Sequence, residues 1–370
     1  MQTQTPAARG LFSDYRRIEA LFGWIMGAPA FLGVFLFVIL PFLMAIVLSF
    51  TNQRLVSPNP PRFIGLDNYS RLLSITVLAL EPAIDETTGE PLLDDEGHVV
   101  FPRSRSILRT EEAYEGFFEW FTVDAFGRRY VIAAKDPTFM RSLLNNFLFA
   151  LVVVPLQSSI ALLLAVMVNQ GIPGSNFFRT AYFSPVVTSM AVISVIWIFL
   201  YNPEVGLINR FIQFISFGRA GPFNWLGDTQ SAMVAIIIMS VWQGAGFQMT
   251  IFLAGLQGIP QVLYEAASID GANAWQRFWN VTVPGLRNTT VFVIITTTIF
   301  AFRLFTQVDV MTGGGPRNDA TSTVVFHAVQ QGFRRLDLGY GAAISVVFFL
   351  IVLVIALIQR RVLSTSDQAV

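Results

Sequence analysis

Six runs of this chain, 24–50, 143–168, 177–200, 231–256, 289–311 and 339–358, are apolar for long enough to cross a bilayer. About 20 apolar residues in helical form span the ~30 Å hydrocarbon layer. No water is present there to bond backbone N–H and C=O groups, so a lone apolar run satisfies its own polar groups only as a helix. The fold class that follows is all-α and polytopic, with six transmembrane helices and both termini on one side. Composition agrees, since 54% hydrophobic and 13% charged residues lie far from the profile of a soluble domain.

The runs also divide the chain. Residues 1–23 are a polar segment carrying Arg9, Arg16 and Arg17. The first run, 24–50, is too long for a signal-peptide core and lacks a small-residue cleavage pattern, so it is expected to stay as the first span, with room for a bend at Pro41. Residues 51–140 form an insertion in which 13 of the 24 acidic residues fall between Glu81 and Asp136. Turn signals at Thr88-Gly89 and Glu96-Gly97, with strand-like alternation over 129–133, predict a small α+β module. Asp94, Asp95, Glu96 and His98 can be drawn as a metal site, but a solvated acidic turn accounts for the same residues. The rest, 141–361, holds the five further spans, and 362–370 is a polar tail. Within it, 201–230 reads as an amphipathic connection through Leu207, Phe211, Phe214 and Ile215, and Gly341 with Ser345 form a small-xxx-small pair for close helix packing.

Several function classes lose support. Net charge is zero and there is no basic tract, which argues against nucleic acid as a partner. Without cysteine there is no disulfide, thiolate metal site or catalytic thiol. The two histidines, His98 and His327, read as unrelated surface residues, so neither a metal centre nor a catalytic constellation is expected, and the chain is read as no enzyme. The sole lysine, Lys135, stands in Ala-Ala-Lys-Asp-Pro, which rules out a G-x-x-x-x-G-K-[ST] phosphate loop. If ATP drives any process here, a different polypeptide hydrolyses it.

Between the fourth and fifth runs lies a polar stretch, 258–287. Pro260 suits a helix start and Gly271 a position past a helix end, so 261–270 is predicted to be one short helix. Ala266 and Ala267 on it are small enough for another surface to approach. A second short helix over 272–282 places Trp275, Phe278 and Trp279 on one apolar face, and Pro284 is expected to end it. Glu265-Ala266-Ala267, Asp270-Gly271-Ala272, Phe278 and Pro284 stand at the spacing of the EAA loop, which resembles the permease subunits of bacterial ABC importers. Further on, Met311-Thr312-Gly313-Gly314-Gly315-Pro316 resembles a turn of maltose-type carbohydrate permeases. The likeness covers about 139–361; Asn288 stands where many such chains carry a second proline.

This resemblance implies the type I ABC importer permease fold, with the α+β insertion between helices 1 and 2 on the extracytoplasmic side. It implies that Glu265, Ala266, Ala267, Asp270, Gly271 and Pro284 couple to an ATP-binding subunit dimer, which would carry the ATP and Mg; no cofactor belongs to this chain. A second permease subunit, more commonly a different chain, an extracytoplasmic solute-binding protein and a carbohydrate complete the implied set. The location implied is the bacterial cytoplasmic (inner) membrane with cytoplasmic termini. Eight arginines near the terminal side face eight on the other, so charge bias alone does not orient the chain.

A solute path is read from spacing. Ser240, Gln243, Gly244 and Phe247 fall at i, i+3, i+4, i+7 in the fourth run, and Thr297, Phe300, Ala301 and Leu304 repeat this in the fifth. These are the faces that supply sugar contacts in maltose-type permeases. Gly244-Ala245-Gly246 is expected to loosen the helix, and Arg303 with Gln307 at i, i+4 joins the path, whereas Asp309 lies nearer the interface. Amide groups and aromatic faces suit a di- or oligosaccharide. Polar glue between packed helices explains the same residues. Another polar solute, such as a glycerol phosphate derivative, would use Arg303; an ion-coupled carrier would need a mid-span carboxylate and a repeat between halves, and neither is found.

Overall fold

The computed structural model describes residues 8–84, 91–94, 98–171, 174–316 and 319–364. The first span joins α1 (Ala8–Val34), a π-helical turn at Phe35–Ile39, and α2 (Leu40–Ser49). The turn has a cause in sequence. Pro41 has no N–H, and its ring presses on the carbonyl four residues back, Phe37, so the chain widens there. From Glu19 the side chains of this span are largely exposed until α2, where Phe42 meets Phe349 with ring centroids 4.7 Å apart.

The following segment contains α3 (Asp67–Leu73), β1 (Ile75–Leu80), α4 (Ser104–Thr110), β2 (Phe118–Ala125) and β3 (Arg128–Ala134). The strands form one antiparallel sheet in the order β1-β3-β2, with Leu78 opposite Val131 and Thr122 opposite Val131 on the other side. Leu78, Leu80, Val131 and Ala133 bury one face of the sheet against Leu108 of α4. Phe126 and Gly127 close the β2–β3 hairpin at φ 52° and 72°, the paired positive values that suit the right-handed twist of a hairpin. The turn signals at Thr88-Gly89 and Glu96-Gly97 lie outside the described residues, as do Asp95 and Glu96 of the acidic turn. Among the described residues no group of three or more His, Asp and Glu side chains is placed to hold a metal ion.

Then come α5 (Pro137–Asn169), α6 (Ser175–Val187), α7 (Met190–Leu200), α8 (Leu207–Ile215) and α9 (Ala232–Gln257). The polar stretch holds α10 (Gln261–Ile269), α11 (Ala274–Arg277), a π turn at Phe278–Thr282 and α12 (Val283–Gly285). The remaining described elements are α13 (Arg287–Phe302), α14 (Thr306–Met311), α15 (Val324–Val329), a π turn at Gln330–Arg334 and α16 (Leu338–Ser364). Four helices are long and apolar enough to cross a membrane unaided: Glu19–Ser49, Pro137–Asn169, Ala232–Gln257 and Leu338–Val362. Two bent pairs bring the number to as many as six.

Three expectations are corrected, two of them by these pairs. The run 177–200 is not one helix: α6 and α7 meet at 102°, because Thr188 and Ser189 are extended. Pro185 has already removed a backbone bond in the last turn of α6, and Thr and Ser offer side-chain alternatives to helical bonding. The run 289–311 is also interrupted. α13 stops at Phe302, and α14 begins only at Thr306. Finally, Pro284 does not end its helix. The carbonyl it would crowd, that of Asn280, lies in the π turn at Phe278–Thr282, so the helix widens, continues through Pro284, and bends by 66° at the buried Leu286.

The helices pack on close backbone approach rather than on apolar contrast, since lipid tails are as apolar as leucine. A Cβ added at Gly246 of α9 would lie 1.9 Å from the Tyr182 carbonyl oxygen of α6. One added at Gly341 of α16 would lie 2.8 Å from the Gly332 Cα. Around these points two clusters fill the interior. One joins Phe149, Val153, Tyr201, Ile236, Met239 and Phe302, and the other joins Ala161, Ala165, Met249, Phe252, Leu286 and Val293.

Candidate functional site

A cavity of about 480 Å³ opens between α5, α9 and α13, and all ten residues read as a solute path border it: Ser240, Gln243, Gly244, Phe247, Thr297, Phe300, Ala301, Arg303, Leu304 and Gln307. The helical spacing of α9 and α13 turns each set toward one space. Phe247 and Phe300 meet edge to face across it, with centroids 6.4 Å apart. Val186 and Met190 line it from either side of the α6–α7 break. Irregular backbone at this depth is tolerated where it lines a cavity, and both interrupted segments do so here. Arg303 and Gln307 do not share a helical face, because the gap between α13 and α14 separates them, yet both reach the cavity.

The glycines act differently from the sequence expectation. α9 stays regular through Gly244-Ala245-Gly246. A Cβ at Gly244 would sit 2.3 Å from Gln157 Nε2, so this glycine makes room for a glutamine from α5. Gln157 Nε2 donates to Gln248 Oε1, and Gln248 Nε2 donates to Thr297 Oγ1 at 2.9 Å, a buried relay across three helices. Ser240 Oγ, also buried, has no hydrogen-bond partner among the described residues. Gln248 is absent from the sequence-based path, although it extends the α9 stripe by one i, i+4 step from Gly244.

A second polar cluster stands at one end of the bundle and overturns the reading of His327 as a surface residue. His327 is 4% exposed, and its Nε2 lies 2.8 Å from Asp136 Oδ2. Tyr340 donates to the same oxygen, and the Phe139 N–H donates to Asp136 Oδ1 at 2.9 Å. Burial raises the Asp136 pKa, but the His327 contact, the Tyr340 hydroxyl and the Phe139 N–H outweigh it and hold the carboxyl below its ordinary value. Arg71 of α3 lies 3.9 Å from the Tyr340 ring centroid and 3.4 Å from Asp337. The Asp-Pro start of α5 is legible as a helix cap; its partners, 191 and 204 residues away, are not.

The residues read as coupling positions gather on the polar stretch. α10 runs Gln261–Ile269 with Asp270 as its C-cap and Gly271 at φ +75°, where a side chain is strained. Glu265, Ala266, Asp270, Gly271 and Pro284 are exposed and Ala267 is half-buried. Val262, Leu263 and Ile269 are exposed as well, at 69%, 50% and 86%. The support beneath is ordered: Tyr264 and Thr282 hydroxyls lie 3.0 Å apart, Arg277 Nη1 donates to Ser268 Oγ at 3.1 Å, and Asn273 with Gln276 forms a capping box. A short helix held firmly from below, with apolar side chains facing out, is built as a contact surface.

The chain is similar to known proteins in sequence and in fold. The chain is 35% identical over 245 residues to a probable ABC transporter permease protein, YurN of Bacillus subtilis (strain 168), covering 65% of this chain and 82% of that one. It is 33% identical over 254 residues to the sn-glycerol-3-phosphate transport system permease protein UgpA of Yersinia enterocolitica, covering 65% and 84%. In three dimensions it resembles a chain of a bacterial ABC transporter involved in the import of the acidic polysaccharide alginate, with a TM-score of 0.66, 16% identity, and 96% and 98% of the two chains covered. The model of the family described as binding-protein-dependent transport system inner membrane component matches residues 131–364, and the chain belongs to that family of ABC transporter permeases.

Proposed function

We propose that this chain is the permease subunit of an ATP-driven importer that carries a sugar-type solute, of di- or oligosaccharide size, into a bacterial cytoplasm by alternating access. The observation that carries the reading is the cavity bordered by the spans on either side of α10. Its volume of about 480 Å³ falls in the range of small-molecule sites, about 300–1,000 Å³. Aromatic walls with carboxamides and hydroxyls between them match a solute with C–H faces and hydroxyl edges. Two of the similar proteins belong to systems for sn-glycerol-3-phosphate and for alginate, both polyhydroxylated or derived from such skeletons.

In this reading α10 and the termini face the cytoplasm of a cell whose inner membrane holds the chain, and six spans cross it. The insertion 51–140 lies outside, where a binding protein delivers the solute. Glu265, Ala266, Ala267, Asp270, Gly271 and Pro284 dock in a cleft of an ATPase subunit, which binds ATP and Mg, since this chain has no phosphate loop. An ATPase dimer needs two such helices, so a second permease, a different chain, supplies the other.

Glu265→Arg tests the docking. Expected is loss of ATP-dependent uptake by at least tenfold, with expression and membrane insertion intact, because a reversed charge in a buried contact leaves its partner unpaired. Normal uptake in this variant would count against docking through α10. Purifying the tagged chain gently and identifying what accompanies it tests the assembly: an ATPase and a second permease are expected, and a chain that comes out alone would favour an ion-coupled carrier.

A further inference from the structure

Of the seventeen residues lining the cavity, four are glutamines, three carry hydroxyls, none is acidic, and one is charged: Arg303. A guanidinium stays protonated in any protein environment and offers a planar fork of donors. The Arg303 side chain is exposed and borders the cavity; a charged group within a span usually faces such a cavity or pairs with an opposite charge or with backbone carbonyls. Among the described residues no carboxylate pairs with Arg303. Asp309 is held by Arg334 at 2.5 Å, and Asp319 accepts from Thr138 at 2.7 Å. Ser240 also borders the cavity: its residue is 7% exposed, and its hydroxyl, buried in the wall, has no hydrogen-bond partner among the described residues. The cavity therefore has one fixed positive charge at its border and one unpartnered hydroxyl in its wall, with no carboxylate among the described residues that line it.

We propose that the solute is anionic, a hydroxylated skeleton bearing a carboxylate or a phosphate, whose charged group seats on Arg303 while a hydroxyl of the same molecule bonds Ser240. This rests on the reading of the cavity as the solute path. A neutral saccharide would leave the guanidinium without a counter-charge on passage, and a cationic one would be repelled. Arg303 also borders an apolar groove of about 710 Å³ between α2, α13, α15 and α16. A lipid headgroup reaching along that groove is the other source of the same anionic chemistry.

The test uses the whole importer, purified through a tag on this chain with its own partners and binding protein, in phosphatidylcholine vesicles with or without phosphatidylglycerol. It is offered a mixture of maltose, maltotriose, cellobiose, glycerol 3-phosphate, galacturonate and digalacturonate with ATP, and the transported compounds are identified by mass spectrometry. Expected is accumulation of an anionic member, cut about tenfold or more by Arg303→Gln, less by Arg303→Lys, and lowered by Ser240→Ala. Co-elution of the partner subunits with each variant shows that assembly is intact. Accumulation of neutral members alone, or of anionic members unchanged in Arg303→Gln, overturns the proposal and leaves the parent reading standing. An Arg303→Gln effect seen only with phosphatidylglycerol assigns the anion to lipid and also overturns it. Failure of every member to accumulate while ATP is hydrolysed counts against the parent reading itself.

Discussion

Asp136 is the residue at which most of the chain's long-range chemistry meets. It caps α5, accepts from Tyr340 and contacts His327, all at a buried position. Its folded pKa lies below the unfolded one, so its contribution to stability is complete above the unfolded value and is lost as pH falls through the lower folded value. The native chain should therefore keep its melting temperature from neutral pH down to about pH 4 and lose it below. Asp136→Asn should be less stable at neutral pH by about 1–3 kcal/mol and flatter across the acid range. Thermal unfolding in detergent at a series of pH values reads both, and an unchanged acid limb in the variant would count against the assignment. The contacts with His327 and Tyr340 were not legible in the sequence, because the three side chains share no local spacing. The cavity residues were legible for the opposite reason: Ser240, Gln243, Gly244 and Phe247 are neighbours on one helix, and helical periodicity alone aims them together.

Elements tell a similar story about what periodicity conveys. It located apolar runs but passed over the breaks at Thr188-Ser189 and between Phe302 and Thr306, since apolar residues continue on both sides. Pro185 was the available signal for the first break. The π turns before Pro41 and Pro284 show why a proline need not stop a span: a wider turn frees the crowded carbonyl and the helix goes on. Packing between elements turns on glycine. Gly246→Ala would press a methyl into the Tyr182 carbonyl, a backbone atom that cannot swing aside, and is expected to cost about 1–3 kcal/mol. Gly244→Ala meets the side-chain end of Gln157 rather than backbone, at the cost of that glutamine's bond to Gln248, and is expected to cost less. Denaturation of the two variants side by side in detergent checks the order, and equal losses would contradict it.

The whole molecule is arranged so that its two exposed polar regions lie at opposite ends of the spans in the proposed topology. The absence of cysteine gives a clean background for testing this. A cysteine placed at Phe126, 99% exposed at the hairpin tip, should react with an impermeant maleimide added to intact cells from outside, with the outer membrane permeabilised. One placed at Gln261, exposed at the start of α10, should react only after the inner membrane is opened. The reverse pattern would invert the topology. Overall architecture was read correctly at the level of a helical membrane permease, because hydrocarbon leaves the backbone few alternatives.

One connection gives the molecule a mechanical property. β3 ends at Ala134 and α5 begins at Pro137, so a single peptide stretch, clamped at Asp136, joins the sheet to a 33-residue rod. At 1.5 Å per residue that rod is about 50 Å long. Pro155 lies inside it, two residues before Gln157, and removes one of its backbone bonds. A force applied to the sheet is then delivered to the rod's N-terminal end as leverage, and the rod yields most easily beside the glutamine that leans on Gly244 at the cavity wall.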